Sequence, residues 1–388
     1  MRRGRIWFVT RALPEHGGGG MERVVRETAF GLAARGWRID LVVPRPPIPV
    51  DAPEGVEIHP LDAPHHVPTA RLGRALLGWA ADRKETPDLL FSAVLSAGTL
   101  AARRPEIPSL FQAHGSSWAE ATTKLRAGDP RGLFRFWLWA GAERRALPRF
   151  DRIVAVGPAV RAYFESRAYR FLDPARIVEI PNGIDLRLFA DGEARRRRVR
   201  QEFAVGAEER VILAACRLIP EKGVGDLLRA FERMEGRERT RLWIAGSGRD
   251  ETRLRAYVRE KGLDRVAFFG ALPRERVIDL VHGADLTAQV GTRPEGLPLL
   301  VLESLVAGTP ALVSERMPLP LFGGESSVMR ARPGDADSIA RAVAEGLRLG
   351  APRPDTAAAA RERFSLERTL DDYEKVIAEI LEERRKPG

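Results

Sequence analysis

The stretch Gly291–Pro310 constrains the fold of this chain more than any other segment. Nearly every residue from 299 to 307 is apolar, on every face, which is typical of a helix buried all round. Pro298 fits the start of such a helix and Gly308 fits its end. One charged residue, Glu303, falls inside it. A buried carboxylate without partners costs several kcal/mol, so we expect something to meet it.

Two acidic residues converge at the start of this predicted helix. Helical side chains lean back towards the N-terminus, so Glu303 can reach a ligand seated there, close to Glu295. The N–H groups of Gly296 and Leu297, together with the helix dipole, favour an anion such as phosphate. Two acids beside a phosphate site predict a polyhydroxyl ligand that carries phosphates, such as a nucleotide sugar. The alternative is that Glu303 pairs with a core arginine.

The same letters resemble a family signature. EGLPLLVLE followed by SLVAGTP places seven residues between two glutamates and resembles retaining glycosyltransferases of GT-B architecture, the large family four. That family usually has E-G-F-G, and Leu297 and Pro298 depart from it, which leaves the donor sugar open. The resemblance implies that Glu303 binds the ribose hydroxyls of a nucleotide and that Glu295 binds a hydroxyl of the donor sugar.

Bulk properties fit a cytoplasmic protein of two domains. The chain has 388 residues, is 44% hydrophobic and 30% charged, and carries one cysteine, so no internal disulfide can form. Charges interrupt each apolar run before the length of a membrane span. The opening residues are basic and then apolar, but too briefly for a signal peptide.

The net charge of +10 attracts anions: nucleic acid, an acidic membrane surface or a phosphorylated substrate. The arginines are spread over the chain and no nucleic-acid module is recognisable, so we expect no nucleic-acid partner. Peripheral association with an anionic membrane, on its inner face, is left as an alternative. The densest basic run, Arg195–Arg198, is expected to be a solvated helix face or linker.

A first strand–loop–helix series opens the chain. Ile6–Val9 is predicted as a strand, residues 17–20 are four glycines, and Met21–Arg35 has a helical period. The glycines lack the G-x-G-x-x-G spacing, so a nicotinamide enzyme is disfavoured. By resemblance to the family's glycine loop, the bare backbones of Gly18 and Gly19 approach the donor diphosphate and its sugar.

A second series begins at the predicted strand Val211–Cys216. Arg217 and Lys222 bracket the loop that follows, before a helix, and two cations there can neutralise a diphosphate without a metal. In this order they resemble the family's R-x(3,4)-K-G phosphate clamp, in which the backbones of Gly296 and Leu297 would assist. The resemblance also implies that residues 271–273 hold the nucleobase through backbone groups.

Several other residues could have a chemical or a structural role. His114 follows the predicted strand Ser109–Gln112, and the resemblance implies that it touches the donor sugar near the transferred carbon, with Ser116 and Ser117 as candidate acceptor contacts. The adjacent histidines 65 and 66 are predicted surface residues. Arg131–Arg149 mixes aromatic residues with arginines and is predicted as a core helix rather than a membrane-interface helix. Residues 181–185, PNGID, resemble a family turn.

These expectations combine into one hypothesis. The fold class is α/β, GT-B, with two Rossmann-like domains facing each other across a cleft. We expect an acceptor-binding domain over 1–186, a nucleotide-sugar-binding domain over 187–364, and a C-terminal helix over 365–388 that packs back on the N-terminal domain.

The expected function is a retaining, metal-independent glycosyltransferase without a cofactor. It would move a hexose from a UDP- or GDP-type nucleotide-diphosphate sugar to a hydroxyl acceptor such as a glycan, a lipid-linked saccharide or a small metabolite. Its catalytic residues would be His114, Arg217, Lys222 and Glu295. The alternatives are a sugar-nucleotide epimerase of the same architecture and a basic nucleic-acid-binding protein.

Overall fold

The structure is a computed structural model that describes residues 3–16, 19–46, 48–63, 69–115, 139–292, 296–320 and 322–386. The chain divides into two compact units. The first comprises Met1–Gly183 together with Leu366–Gly388, and the second comprises Ile184–Ser365.

Seven parallel strands build the sheet of the first unit in the order β3-β2-β1-β4-β5-β6-β7. They are β1 Arg5–Val9, β2 Arg38–Pro44, β3 Val56–Leu61, β4 Leu89–Ser92, β5 Ser109–Ala113, β6 Arg152–Ala155 and β7 Ile177–Glu179. The strand order reverses between β1 and β4. In open parallel sheets, ligands bind outside the carboxyl ends of the strands at such a point.

Helices cover both faces of this sheet because its strands are apolar on both sides. The α-helices of the unit are α1 Gly20–Ala34, α2 Thr69–Ala81, α3 Gly98–Arg103, α4 Pro158–Phe164 and a C-terminal helix over Leu366–Arg385, and residues 139–146 are also helical. Trp7 and Val9 point into one core with α2, whereas Ile6 and Phe8 point into the other. Such alternation into two cores is typical of a central parallel strand.

Six parallel strands build the sheet of the second unit in the order β10-β9-β8-β11-β12-β13. They are β8 Arg210–Ala215, β9 Thr240–Ala245, β10 Val266–Gly270, β11 Leu286–Gln289, β12 Ala311–Ser314 and β13 Val328–Ala331. The helices, with the C-terminal one completing the series, are α5 Gly192–Glu202, α6 Val224–Arg233, α7 Glu251–Glu260, α8 Arg274–Gly283, α9 Leu299–Val306, α10 Ala336–Leu349, α11 Pro354–Phe364 and α12 Leu366–Arg385. The predicted α/β class with two Rossmann-like domains is confirmed.

The C-terminal helix α12 belongs to the first unit, and the PNGID turn explains how it is seated. A Cβ on Gly183 would lie 2.7 Å from both the Cα of Leu366 and the Oγ1 of Thr369, so only glycine fits there. The Thr369 hydroxyl donates to the Pro181 carbonyl at 3.0 Å. The turn therefore has a packing role at the start of this helix.

The basic run at 195–198 is not the solvated face that we expected. On α5, Arg196 contacts Asp285 at 2.5 Å and Arg195 contacts Asp279 at 2.7 Å. Both acids are buried, and Asp285 has no exposed surface. The cause is helical spacing: residues three or four apart face the same neighbour, so Arg195 and Arg198 both contact Asp279, whereas the side chains of Arg197 and Arg198 remain largely exposed.

Two other predictions concern segments that lie partly or wholly outside the described residues. The predicted core helix over Arg131–Arg149 lies partly outside the described residues, and Trp139 within it is 38% exposed rather than core. The histidines 65 and 66, Ser116 and Ser117 lie outside the described residues. Within the described part of the chain, no helix combines the length and apolarity that a bilayer span requires.

A buried hydrogen bond fastens α12 to the central sheet. The Nε2 of Gln112 on β5 donates to the Tyr373 hydroxyl at 2.7 Å, and each residue is 1% exposed. We predict that Tyr373→Phe lowers the free energy of unfolding by about 1–3 kcal/mol, because it leaves the buried amide without that partner. Urea denaturation measures the loss. The double variant Tyr373→Phe, Gln112→Leu should recover part of it, and a Tyr373→Phe protein as stable as wild type would contradict the prediction.

Candidate functional site

The strongest candidate site lies at the carboxyl edge of the second sheet. Strands β8 and β11 are adjacent there, and the strand order reverses between them. The loop after β8 carries Arg217 and Lys222, and we refer to it by its predicted role as the phosphate loop. The segment after β11 leads to α9 and Glu303. The two stretches that the sequence singled out therefore emerge side by side at the switch point of the sheet.

Backbone contacts tie these two segments together. The N–H of Thr292 donates to the Glu221 carbonyl at 3.0 Å. Gly223 adopts a left-handed φ of +73°, and a Cβ there would lie 2.5 Å from the Val290 carbonyl oxygen. The lysine–glycine end of the phosphate loop thus rests directly on the chain leaving β11, which only glycine permits.

A third loop, after β9, packs on the same phosphate loop. Leu218 accepts from the N–H of Asp250 and donates to the Ser247 carbonyl, both at 2.9 Å. A Cβ on Gly246 would collide with the Cys216 carbonyl, and one on Gly248 with that of Leu218. The GSG sequence at 246–248 is therefore required for close packing of backbones, and it fixes the position of the phosphate loop from its other side.

The cations of the phosphate loop are accessible to a ligand. Arg217 is exposed, and Lys222 is half-buried at the end of the short 3-10 turn Pro220–Lys222. Between them, Glu221 pairs with Arg249, whose Nη2 lies 3.0 Å from Oε1 and 3.2 Å from Oε2. Arg249 thus offsets the negative charge that lies between the two predicted phosphate-binding cations. Sequence analysis missed Arg249, although it directly follows the GSG sequence that packs on this loop.

Glu303 is buried in α9, as predicted, and it meets a core arginine. Its side chain is 3% exposed, and its Oε1 lies 3.6 Å from the Nε of Arg274, which is 12% exposed. Arg274 opens α8 directly after residues 271–273. The pairing alternative thus describes part of the surroundings of Glu303. Sequence analysis missed Arg274, whose signal was a cation at a helix N-terminus, where the helix dipole is unfavourable.

The remaining donor candidates are only partly described. Gly296 is half-buried and Leu297 is 5% exposed, and both lie immediately before α9. Pro298 is the N-cap of this helix, so the predicted helix start is confirmed within one residue. Glu295 and Gly18 lie outside the described residues.

The first unit has a separate polar cluster at the carboxyl edge of its own sheet. His114 follows β5, and its Nε2 is buried without a hydrogen-bond partner among the described residues. Burial, and secondly the positive charge of Arg11, lower the pKa of His114 to about 3. The imidazole is therefore neutral at physiological pH, so it can exchange hydrogen bonds with a ligand but is a weak base.

Gly19 caps α1 in the same cluster. Its N–H donates to the Oε2 of Glu22 at 2.8 Å, and Glu22 is 8% exposed. The Oε1 of Glu22 lies 3.5 Å from Arg11. The described part of the glycine run is thus positioned by a carboxylate in the first turn of the helix, a capping arrangement.

Two groups of acidic residues bear on metal binding. Asp40, Glu57 and His59 place ligand atoms within 4.8 Å of one another near the amino ends of their strands, away from the edge that carries His114. His59 is hydrogen-bonded to Asp40 at 2.9 Å, and Arg5 lies 3.5 Å from Asp40. A neighbouring guanidinium disfavours a cation, so this group is better described as an ion-paired cluster.

An Asp-x-Asp sequence follows β13, at Asp335 and Asp337. Asp335 accepts from the Ser338 N–H at 2.9 Å and caps α10, and Asp337 pairs with Arg233 at 3.0 Å. Both carboxylates have structural partners.

Comparison with known families agrees with this arrangement. The model described as Glycosyltransferase Family 4 matches residues 18–188, and the model described as Glycosyl transferases group 1 matches residues 195–363. The chain belongs to the group 1 glycosyltransferases. The first model covers the sheet that carries His114, and the second covers the phosphate loop and α9. Two independent matches in chain order thus account for both halves of this glycosyltransferase.

Two curated relatives share one name. D-inositol 3-phosphate glycosyltransferase of Mycobacteroides abscessus is 30% identical over 231 residues, which is 58% of this chain and 49% of the relative. The protein of that name from Mycobacterium avium is 27% identical over 407 residues, 95% of this chain and 92% of the relative. The glycosyltransferase chain therefore spans about half of the first relative and nearly all of the second.

The fold is also shared with a solved structure. Sucrose-phosphate synthase from Thermosynechococcus elongatus superposes with a TM-score of 0.80 at 19% identity, over 97% of this chain and 99% of that one. At this identity the likeness concerns the fold alone. It confirms the predicted GT-B class of this glycosyltransferase.

The close approach of the phosphate loop to β11 can be tested at one glycine. We predict that Gly223→Ala destabilises the glycosyltransferase by more than the strain of a left-handed alanine, about 1–2 kcal/mol, because its Cβ also collides with the Val290 carbonyl. Gly236→Ala is the matched control, since Gly236 has a φ of +76° and no atom within 4 Å of its Cβ position. Urea denaturation compares the two. Equal losses would mean that the contact with β11 does not constrain the loop.

Proposed function

We propose that this glycosyltransferase takes its sugar from a nucleotide-diphosphate donor, of UDP or GDP type, bound at the carboxyl edge of the second sheet. One observation carries the proposal: the loop of Arg217 and Lys222 and the helix of the buried Glu303 emerge from adjacent strands and are joined by the Thr292–Glu221 hydrogen bond. A cationic loop beside a buried acid suits a ligand that has both phosphates and vicinal hydroxyls.

Glu303 is the proposed contact for the ribose hydroxyls. A carboxylate accepts two hydrogen bonds at once, which matches two neighbouring hydroxyl groups. Its ion-pair partner Arg274 directly follows residues 271–273, the proposed nucleobase contact. Base and ribose contacts would thus be linked through one pair. Glu295 is proposed to bind a hydroxyl of the donor sugar, and the backbones of Gly296 and Leu297 to bind phosphate oxygens.

Arg217 and Lys222 are proposed to hold the diphosphate leaving group. Negative charge builds up on the leaving group in the transition state, and fixed cations stabilise it there. Because two positive charges are supplied by side chains, the reaction is proposed to need no metal. Loss of transfer in EDTA with recovery in magnesium would contradict this part of the proposal.

Retention of anomeric configuration is the proposed stereochemical outcome. An inverting enzyme needs a general base opposite the leaving group. Near the described glycine run, His16 accepts from the Leu13 N–H at 3.0 Å, Glu15 pairs with Arg26 at 2.8 Å, and Glu22 accepts from Gly19. His114, proposed to touch the sugar together with the backbones of Gly18 and Gly19, has too low a pKa to act as a base at neutral pH. A leaving-group oxygen can instead take the acceptor proton on the same face.

The acceptor is proposed to be a hydroxyl compound bound by the first unit. The shared name of the two curated relatives makes a phosphorylated cyclitol, D-inositol 3-phosphate, the first compound to test. Family membership favours transfer over epimerisation, the sequence-based alternative. Thermal shift with UDP, GDP and ADP sugars tests the donor class, because a ligand that binds only the folded protein raises its melting temperature. No shift with any of these donors would count against the proposal.

We predict that Glu303→Gln weakens binding of the preferred nucleotide by about tenfold to a hundredfold, the effect of losing a hydrogen bond to a charged group. Calorimetry measures the affinity. Glu232→Gln is the control, because Glu232 lies at the far end of α6 and pairs with Lys261. Arg274→Met separates the alternatives. If Glu303 only neutralises Arg274, both substitutions will reduce stability and leave nucleotide affinity unchanged.

We also predict that an α-linked donor yields an α-glycoside. The product of an early time point is identified by the anomeric coupling in its proton NMR spectrum, with the donor spectrum as the internal reference. Retention is expected because the proposed proton acceptor is the leaving group itself. A β-linked product would contradict this mechanism. Glu22, His16 and Glu15 would then be the residues to examine as the general base.

A further inference from the structure

Arg11 lies at the carboxyl edge of the first sheet, and the proposed function assigns it no contact with a substrate. It follows β1, one of the two strands at which the strand order reverses. Its side chain is 55% exposed, which is consistent with a group that contacts a ligand rather than the core. The positive charge of Arg11 is thus placed where parallel sheets bind ligands.

The guanidinium of Arg11 is only partly engaged. Its contacts with the described residues all run through Nη2, which lies 3.5 Å from the Oε1 of Glu22 and 3.9 Å from the Sδ of Met21. Glu22 is itself shared, because its other oxygen accepts the Gly19 N–H at 2.8 Å. The Nε and Nη1 groups make no hydrogen bond within the described part of the chain. Most donors of this cation are therefore available to a ligand.

His114 provides a second polar group beside Arg11. The Nε2 of this histidine is buried and has no hydrogen-bond partner among the described residues, which is a costly state unless a ligand supplies one. The charge of Arg11 is close enough to act on the imidazole. A cation with open donors and a neutral imidazole thus meet at one edge of the sheet.

We infer that Arg11 binds a phosphate group of a substrate beside His114. The planar guanidinium matches two phosphate oxygens at once, and among the described residues its charge is offset by one carboxylate, that of Glu22 at 3.5 Å. The inference rests on the proposed function, in which the donor diphosphate is held by Arg217 and Lys222. The phosphate at Arg11 is then a phosphate monoester of the acceptor, and the other source of the same chemistry is the donor diphosphate.

The experiment uses the full chain and separates these sources by calorimetry. UDP and GDP are titrated first. D-inositol 3-phosphate, unphosphorylated inositol and inorganic phosphate are then titrated in the presence of the nucleotide that binds more tightly. The variants are Arg11→Ala and Arg11→Lys. Arg161→Ala is the matched control, because Arg161 lies in the same unit, is 44% exposed and pairs with Glu165 at 2.8 Å.

If the phosphate belongs to the acceptor, Arg11→Ala should weaken the binding of D-inositol 3-phosphate or inorganic phosphate by about tenfold or more. The binding of the nucleotide and of unphosphorylated inositol should not change. Arg11→Lys should retain part of the affinity, since lysine keeps the charge but loses the two-pronged geometry. A tenfold loss confined to UDP or GDP would assign the phosphate to the donor. Either result supports the inference, provided that Arg161→Ala binds as wild type does.

The inference is overturned if the affinity of Arg11→Ala stays within twofold of the wild-type affinity for every probe. It is also overturned if the wild-type protein binds none of the phosphate probes more tightly than the variant does. Should the alanine variant fail to fold, the lysine variant is compared with wild type instead. Because lysine keeps the positive charge, a loss smaller than tenfold and confined to the phosphate probes then supports the inference, and unchanged affinity for every probe overturns it. The proposed function fails separately, by the absence of nucleotide-sugar binding to wild type.

Discussion

The close packing of backbones at the carboxyl edge of the second sheet is the constraint on which the candidate site depends. Gly223, Gly246 and Gly248 each bring one loop against the carbonyl group of another, at positions where a Cβ would collide. Hydrogen bonds from Thr292 to Glu221 and between Leu218 and the 247–250 loop complete the arrangement. Loops joined in this way have little freedom to move independently. A cationic loop can then hold a diphosphate at a fixed place relative to α9.

Buried acids in the second unit are satisfied in two different ways. Asp285 is held at hydrogen-bonding distance by Arg196 and by the Val211 N–H, and it joins α5 to the amino end of the sheet. Glu303 lies 3.6 Å from Arg274, beyond hydrogen-bonding range for that pair. Both acids are buried, so burial alone does not separate a structural acid from the proposed ligand-binding one. The two differ in position, since Asp285 precedes its strand whereas Glu303 follows a strand at the switch point.

Sequence reasoning predicted the fold through its periodicities. Strands such as Ile6–Val9 and Val211–Cys216 are short apolar runs, and they lie within one residue of their observed bounds. Helix α2 was missed because its region is rich in proline and histidine at its start, and β13 was missed because Val328–Ala331 is short and contains an arginine. The phosphate loop and Glu303 were found because chemistry and spacing coincide there. Arg274, Arg249 and Arg11 could not be found in this way, since each depends on a partner that is distant in sequence or fixed by loop geometry.

The first unit has its own polar cluster, which bears on how the acceptor could lose its proton. At its carboxyl edge, Glu22 holds both Gly19 and Arg11, and the neighbouring charge of Arg11 adds to burial in keeping His114 neutral. An imidazole with a pKa of about 3 is a poor proton acceptor at neutral pH. A cation at this edge therefore has two effects: it favours an anionic substrate group, and it lowers the basicity of His114. If the acceptor hydroxyl binds here, as we propose, it has to lose its proton elsewhere, and the departing phosphate, which gains negative charge as the glycosidic bond breaks, is the proposed base.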